Sequence, residues 1–107
     1  MTRRLVWSTD ARADIRDLVT FLSQSDSDYA DRVVAELGEV AAALAEYDTG
    51  RPGRMPGTRE KSLPLRRLII SFTVGQQRGD DVLIILHVIH SSRNWRKGMW
   101  PLPTKSR

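Results

Sequence analysis

The stretch "VLIILHVIHSSRNWRKGMWP", Val82 to Pro101, decides the fold. Its first eight residues, Val82 to Ile89, are apolar except for His87. A run of that length is a strand buried on both faces or a short buried helix. The branched residues, and the turn-forming "GQQRGD" just ahead of it, favour the strand. The apolar character stops at His90, and Arg93, Trp95, Arg96, Lys97 and Trp100 then crowd into the chain. The run is therefore expected to form the centre of a sheet and to end in a basic, aromatic tail.

Two more extended segments precede it. "RLIISFTV", Arg67 to Val74, is rich in branched and aromatic residues, and Arg59 to Leu63 is short, polar and closed by Pro64. Near the N-terminus, "RRLVW" up to Trp7 reads as a further strand. "STD" at Ser8 to Asp10 then offers three successive helix caps, each able to accept a bond from an orphan backbone N–H. Apolar residues recur at helical spacing through Ala11, Ile15, Leu18, Val19 and Leu22, which predicts a helix over about Asp10 to Gln24. A second stripe, Ala30, Val33, Val34, Leu37, Ala41 and Leu44, predicts another over Asp28 to Tyr47. The short connection between them implies an antiparallel hairpin. Gly38 lies inside the second helix at a cost of up to about 1 kcal/mol relative to Ala, and close packing on the first helix is the expected reason. Gly50 is expected to stop the helix in the left-handed conformation, with Pro52 and Pro56 forbidding its continuation.

These pieces assemble into one α+β domain over residues 1–107. It comprises a strand (1–7), a helical hairpin (10–48), antiparallel strands (58–90) and the basic-aromatic tail (91–107). The hairpin packs on a twisted, mostly antiparallel sheet. Arg66 and Arg67 should start the third strand side by side and so point to opposite faces. Arg59 and Lys61 share a face of the preceding strand, whereas Glu60 projects the other way towards a neighbouring cation.

Charge divides the chain in two. Residues 1–50 carry five arginines against ten acids, for a net −5, and residues 51–107 carry twelve cations against three acids, for a net +9. Such a dipole suits an anionic partner: nucleic acid, an acidic protein or a phosphate-rich complex. Cysteine is absent, which excludes disulfides, thiolate metal sites and cysteine nucleophiles. No run approaches the roughly 20 apolar residues of a membrane span, and "MTRRLVWSTDAR" has no apolar signal core, so a cytoplasmic protein is expected.

His90 stands where an apolar strand meets polar chain. It can act as a general acid or base, or simply hydrogen-bond the strand's end. His87, an odd number of residues away, belongs to the opposite face and reads as a packed or edge histidine. Two histidines on opposite faces, with no acidic or thiolate cluster, do not make a metal site, and no cofactor is expected. Arg93, Trp95 and Arg96 suit stacking on bases or on protein, although a tryptophan folded back over the sheet is the plainer alternative. Phosphate-binding loops and nucleophile elbows are missing.

Four blocks carry a family likeness: "ARADIRDLVTFL", "AELGEVAAALAEYDTGRPG", "GTREKSLPLRRLIISFTV" and "DDVLIILHVIHSSRNW". Together they resemble the RelE/ParE superfamily of toxins from bacterial type II toxin–antitoxin modules, and the ParE branch in particular. The resemblance implies a helical hairpin on a twisted sheet. It also implies a cognate antitoxin whose acidic segment folds as it binds the basic surface, and a pair that represses its own operon. The ParE branch is associated with inhibition of DNA gyrase and the RelE branch with cleavage of mRNA on the ribosome. For cleavage, Arg59 and Arg67 would hold phosphate, His90 would move the proton and Arg93 would steady the transition state. For target or antitoxin binding the candidates are Arg59, Lys61, Arg66, Arg67, His90, Arg93, Trp95 and Arg96. Ile69 stands where the RelE branch places an arginine, which favours gyrase inhibition without catalysis. A nucleic-acid-binding module without toxicity is the third reading.

Overall fold

Ser8 and Asp26 set where the helices begin. Each leaves its own backbone extended and accepts a bond from an N–H of the first turn, Ala11 for Ser8 and Tyr29 for Asp26, both at 3.0 Å. The computed structural model of the chain describes residues 3–47 and 49–90. Within them β1 (Arg4–Trp7) is followed by α1 (Thr9–Ser23), α2 (Ser27–Glu46), β2 (Arg51–Pro52), β3 (Arg59–Leu63), β4 (Leu68–Gln77) and β5 (Asp80–His90). A single 3-10 turn covers Pro64–Arg66. Among the described residues no helix is long and apolar enough to cross a membrane.

The five strands form one sheet in the order β1-β5-β4-β3-β2. β1 runs parallel to β5 and the other pairs are antiparallel, the helical hairpin carrying the chain from β1 at one edge of the sheet to β2 at the other. The apolar run is thus an interior strand, but β4 rather than β5 holds the middle. Both helices bury their stripes on one face of this sheet. Leu18, Val33, Leu37, Ala41 and Leu44 meet Leu68, Ile70, Phe72, Leu83, Ile85 and Val88 in a single core. The N–H of Arg3 donates to the carbonyl of Ala45 and ties the start of β1 to the end of α2.

A bulge between Ser71 and Phe72 leaves Leu86 as an extra residue in β5. Its effect on facing is specific. Ile85 and Val88 are three apart, yet both belong to the helix-side core, so Leu86 and His87 lie together on the other side. Period-two counting along an unbroken strand would have put them on opposite sides.

Several expectations are corrected. Gly50 is not in the left-handed region; α2 ends at Glu46 and Tyr47 is already extended. Glycine is required at 50 by proximity instead, because a Cβ there would sit 2.5 Å from Cζ of Phe72. Gly38 is not a packing contact, since a Cβ there would meet nothing within 4 Å. The segment after Gly50, where the prolines were expected only to end the helix, contains β2, two residues paired with Glu60 and Arg59. The turn before β5 is tighter than "GQQRGD" suggests. β4 runs on to Gln77, and only Arg78 and Gly79 make the turn, both at positive φ, the pattern that matches strand twist in a two-residue hairpin. Arg66 and Arg67 are not strand neighbours on opposite faces. Arg66 ends the 3-10 turn, and Arg67 follows it at φ 55, before β4 begins.

Candidate functional site

The far end of β5 carries the residues that sequence singled out. His90 is half-buried and pairs in register with Leu68. Its ring lies 5.8 Å from the ring of Phe21, centroid to centroid, at 57°. Phe21 is 56% exposed, which is unusual for an aromatic residue on a packed helix. Arg67 immediately precedes Leu68, so its backbone stands beside the point where β5 ends, and its side chain is exposed.

Arg66 is turned elsewhere. Its Nε donates to Glu36 on α2, and its guanidinium lies 5.3 Å over the ring of Tyr29. The hydrogen bond to Glu36 is the main reason its pKa is raised further above the ordinary guanidinium range. Arg66 therefore clamps the 3-10 turn to α2. The adjacent Arg67 is diverted from it by the left-handed residue geometry.

The other two cations of the expected cluster sit across the sheet. Arg59 pairs with Phe72 and Lys61 with Ile70, so both lie on the helix-side face at the β3 edge. Arg59 donates to the carbonyl of Gly50. Lys61 lines a shallow hollow of about 200 Å³ with Thr49, Arg51, Glu60 and Ser62. Counting from Phe72 to Leu68 along β4, and two strand spacings across, Arg59 and His90 lie roughly 16 Å apart at Cα. Arg59 therefore does not gather around His90, whereas Arg67 does. Arg93, Trp95 and Arg96 lie outside the described residues.

Glu60 faces the opposite side, as expected, and is 3% exposed. It accepts the backbone N–H of Arg54 at 2.9 Å, with the Arg54 Nε at 4.0 Å. The carboxylate thus organises the 53–58 loop, which the N–H of Gly53 closes onto the carbonyl of Thr58 at 2.8 Å. Arg51 and Arg54 are left outward on this rim, a basic element that sequence reading passed over as loop.

Asp14 was missed as well. β1 accompanies β5 only as far as Ile85. Beyond it, the backbone N–H of Ser8 donates to the carbonyl of Ile85 at 3.0 Å and its hydroxyl to that of Leu86 at 2.9 Å. Asp14 accepts the N–H of Val88 at 2.9 Å and lies 3.1 Å from Nδ1 of His87. Side chains of the β1–α1 junction and of α1 thus finish an edge that the short β1 leaves open. His87 is an edge histidine, 9% exposed. The separation of 73 positions from Asp14 explains why no local pattern announced the pair. Among the described residues no three His, Cys, Asp or Glu side chains group as metal ligands.

On the face away from the helices a groove of about 460 Å³ runs between the loop at Pro56–Thr58 and the β1–α1 junction. Val6, Ile84 and Thr73 form its floor in one row across three strands. The Thr73 hydroxyl donates to the carbonyl of Gly57 at 3.0 Å and holds the loop over β4.

Comparison with known proteins agrees with this architecture. The family described as "ParE toxin of type II toxin-antitoxin system, parDE" matches residues 5–95. A protein of Sinorhizobium fredii named "Putative toxin Y4kP" is 34% identical over 94 residues, covering 87% of this chain and 93% of the relative. Among solved structures, the chromosomal ParDE toxin–antitoxin system of Pseudomonas aeruginosa superposes with a TM-score of 0.73 at 22% identity, covering 83% of this chain and 96% of the other. The toxin–antitoxin complex RelBE2 of Mycobacterium tuberculosis follows at 0.60 and 20%, covering 84% and 92%. By the extent of the family match, and by a relative more than 30% identical over most of both chains, this protein belongs to the ParE toxin family of type II toxin–antitoxin systems.

Proposed function

We propose that the protein arrests growth by binding and inhibiting DNA gyrase, without catalysis, and that an antitoxin encoded beside it neutralises it. The observation that carries this reading is the separation of Arg59 from His90, two of the residues that cleavage would need. A phosphoryl-transfer site must hold an acid or base and its charge-stabilising groups within hydrogen-bond reach of one phosphate. Arg59 stands roughly 16 Å from His90, and its guanidinium is turned to the carbonyl of Gly50. Arg66 is committed to Glu36. Among the described residues, the end of β5 holds Arg67, His90 and the exposed Phe21. This small mixed surface suits a protein partner, in which aromatic and arginine side chains supply most of the binding energy.

The antitoxin follows from the family and from the charge. The second half of the chain, at net +9, favours a segment rich in carboxylates that pays its ordering cost on docking. A supercoiling assay with purified gyrase tests the target: loss of supercoiling on addition of the protein is the expected result. Unimpaired supercoiling, together with rapid mRNA loss on induction in cells, would replace gyrase with the ribosome. His90→Ala separates the two in the same way, with modest weakening for gyrase inhibition and loss of toxicity for a nuclease. An absence of any growth phenotype would point to a plain nucleic-acid-binding module.

A further inference from the structure

The β2–β3 edge has no role in the reading above. We propose that the notch beside it binds a backbone phosphate of duplex DNA. The inference rests on the gyrase reading and gives the chain a hold on that enzyme's substrate.

The notch forms where β2 stops short. β2 contributes only Arg51 and Pro52, opposite Glu60 and Arg59, whereas β3 continues through Lys61, Ser62 and Leu63. The carbonyl oxygen of Glu60 faces Gly50, 3.1 Å from where a Cβ would stand. Backbone groups alternate in direction along a paired strand, so Ser62, two residues on, turns its N–H to the same open side. Thr49, Arg51, Glu60, Lys61 and Ser62 line the resulting hollow of about 200 Å³.

The lining groups suit phosphate. Arg51 and Lys61 stand roughly 6 Å apart at Cα, one on each strand, and both border the hollow. Arg51 donates to the Ser62 hydroxyl at 3.4 Å, which leaves that hydroxyl's own proton to donate outward. Thr49 supplies a second hydroxyl. Cations, hydroxyls and backbone N–H groups are what hold phosphate oxygens on DNA. Glu60 opposes an anion, but its carboxylate is 3% exposed and accepts the N–H of Arg54, with the Arg54 Nε at 4.0 Å.

The same lining selects against a protein segment. Among the described residues that border the hollow none is apolar, so it lacks the anchor pocket on which protein docking depends. A polyanion needs only charge and donors on an accessible edge. Residues 51–67 carry six cations against one acid, so the positive potential extends along the edge beyond the notch.

Position links the notch to the target-directed end. Lys61 is two strand spacings across and two residues along from His90, roughly 12 Å at Cα. One enzyme carrying DNA can therefore meet the end of β5 with protein and the notch with phosphate.

The test uses the full-length chain and, as probe, a fluorescently labelled DNA duplex of mixed sequence, titrated between 50 and 200 mM salt. Arg51→Gln and Lys61→Gln are each expected to make the log–log salt slope shallower by about 0.9, the share of one phosphate contact, with the unfolding midpoint retained. Arg12→Gln, an exposed arginine on α1, is expected to leave the slope unchanged. Purified gyrase that holds a duplex is expected to bind the chain more tightly than gyrase without DNA, and Arg51→Gln combined with Lys61→Gln should abolish the difference. Wild-type slopes in both single variants, or an undiminished DNA effect in the double variant, would overturn the notch while leaving gyrase as the target. Tighter binding of single-stranded RNA than of the duplex, lost in the same variants, would overturn the DNA assignment. Duplex binding that depends on Arg51 and Lys61, with no binding to gyrase in either form, would support the notch and remove the gyrase reading.

Discussion

The two faces of the sheet are built by different means. The helix side is an apolar core. Phe72, Ile70, Leu83 and Ile85 are fully buried against the alanine, valine and leucine stripe of α2. The opposite side also buries Ile69, Val82, Leu86 and Ile89, but its loop relies on polar fastening. Thr73, Thr58 and Glu60 hold one loop through hydrogen bonds, and a groove remains open beside it. The first face supplies most of the free energy of folding, because apolar burial contributes per unit area and many side chains contribute at once. The second keeps a shaped, partly polar surface in reserve for binding.

The largest effect should therefore come from the helix side. Phe72→Ala is expected to cost about 3–5 kcal/mol in urea denaturation, since the ring is fully buried beside Gly50 and the surroundings cannot collapse onto the void. A much smaller loss would mean that the face is loosely packed. Gly50→Ala comes next. Its Cβ would stand 2.5 Å from Cζ of Phe72 and 3.1 Å from the carbonyl oxygen of Glu60, an overpacking expected to cost about 1–3 kcal/mol.

On the other face, Glu60→Ala removes the buried carboxylate that accepts the part-buried N–H of Arg54 and is expected to cost about 1–3 kcal/mol. It should also speed hydrogen exchange across the 53–58 loop while leaving the helices protected. Equal acceleration in the helices would mean that the two faces are not separately held. Gly38→Ala should act in the opposite direction, stabilising by up to about 1 kcal/mol, because the added methyl meets nothing and glycine is a poor helix former. The smallest contrast lies between neighbours. Arg66→Gln should lower the unfolding midpoint by releasing Glu36 and Tyr29, whereas Arg67→Gln should lower it less and weaken target binding instead. Equal midpoints for the two variants would remove the distinction between clamp and surface cation.

These residues also show where sequence reasoning reached and where it stopped. Helix stripes, the cap within Ser8 to Asp10, and the β3 limits Arg59–Leu63 were legible because each depends on contacts a few residues apart. The direction of Glu60 was legible too, since alternation along a short regular strand is strict. Arg66 and Arg67 were misread because a 3-10 turn and a left-handed residue are inserted where the composition suggests a strand. Gly50 and Gly38 were misread because a glycine's reason is its neighbour, and the neighbour of Gly50 is Phe72, far along the chain. Asp14 left no signal at all.

By itself the sequence determined the two helices and four of the five strands, their order, the charge division between its halves and a family likeness that the comparisons bear out. Such properties are carried by local periodicity, local capping and summed charge. Only the tertiary structure decided which cations meet. Register and a single extra residue in β5 separate Arg59 from His90, bring Leu86 and His87 to one face, and open a groove whose lining comes from β1, β4, β5 and the loop after β2. The physical reason is that strand pairing and bulges are set by the best burial of the whole sheet, a condition no short window of sequence contains.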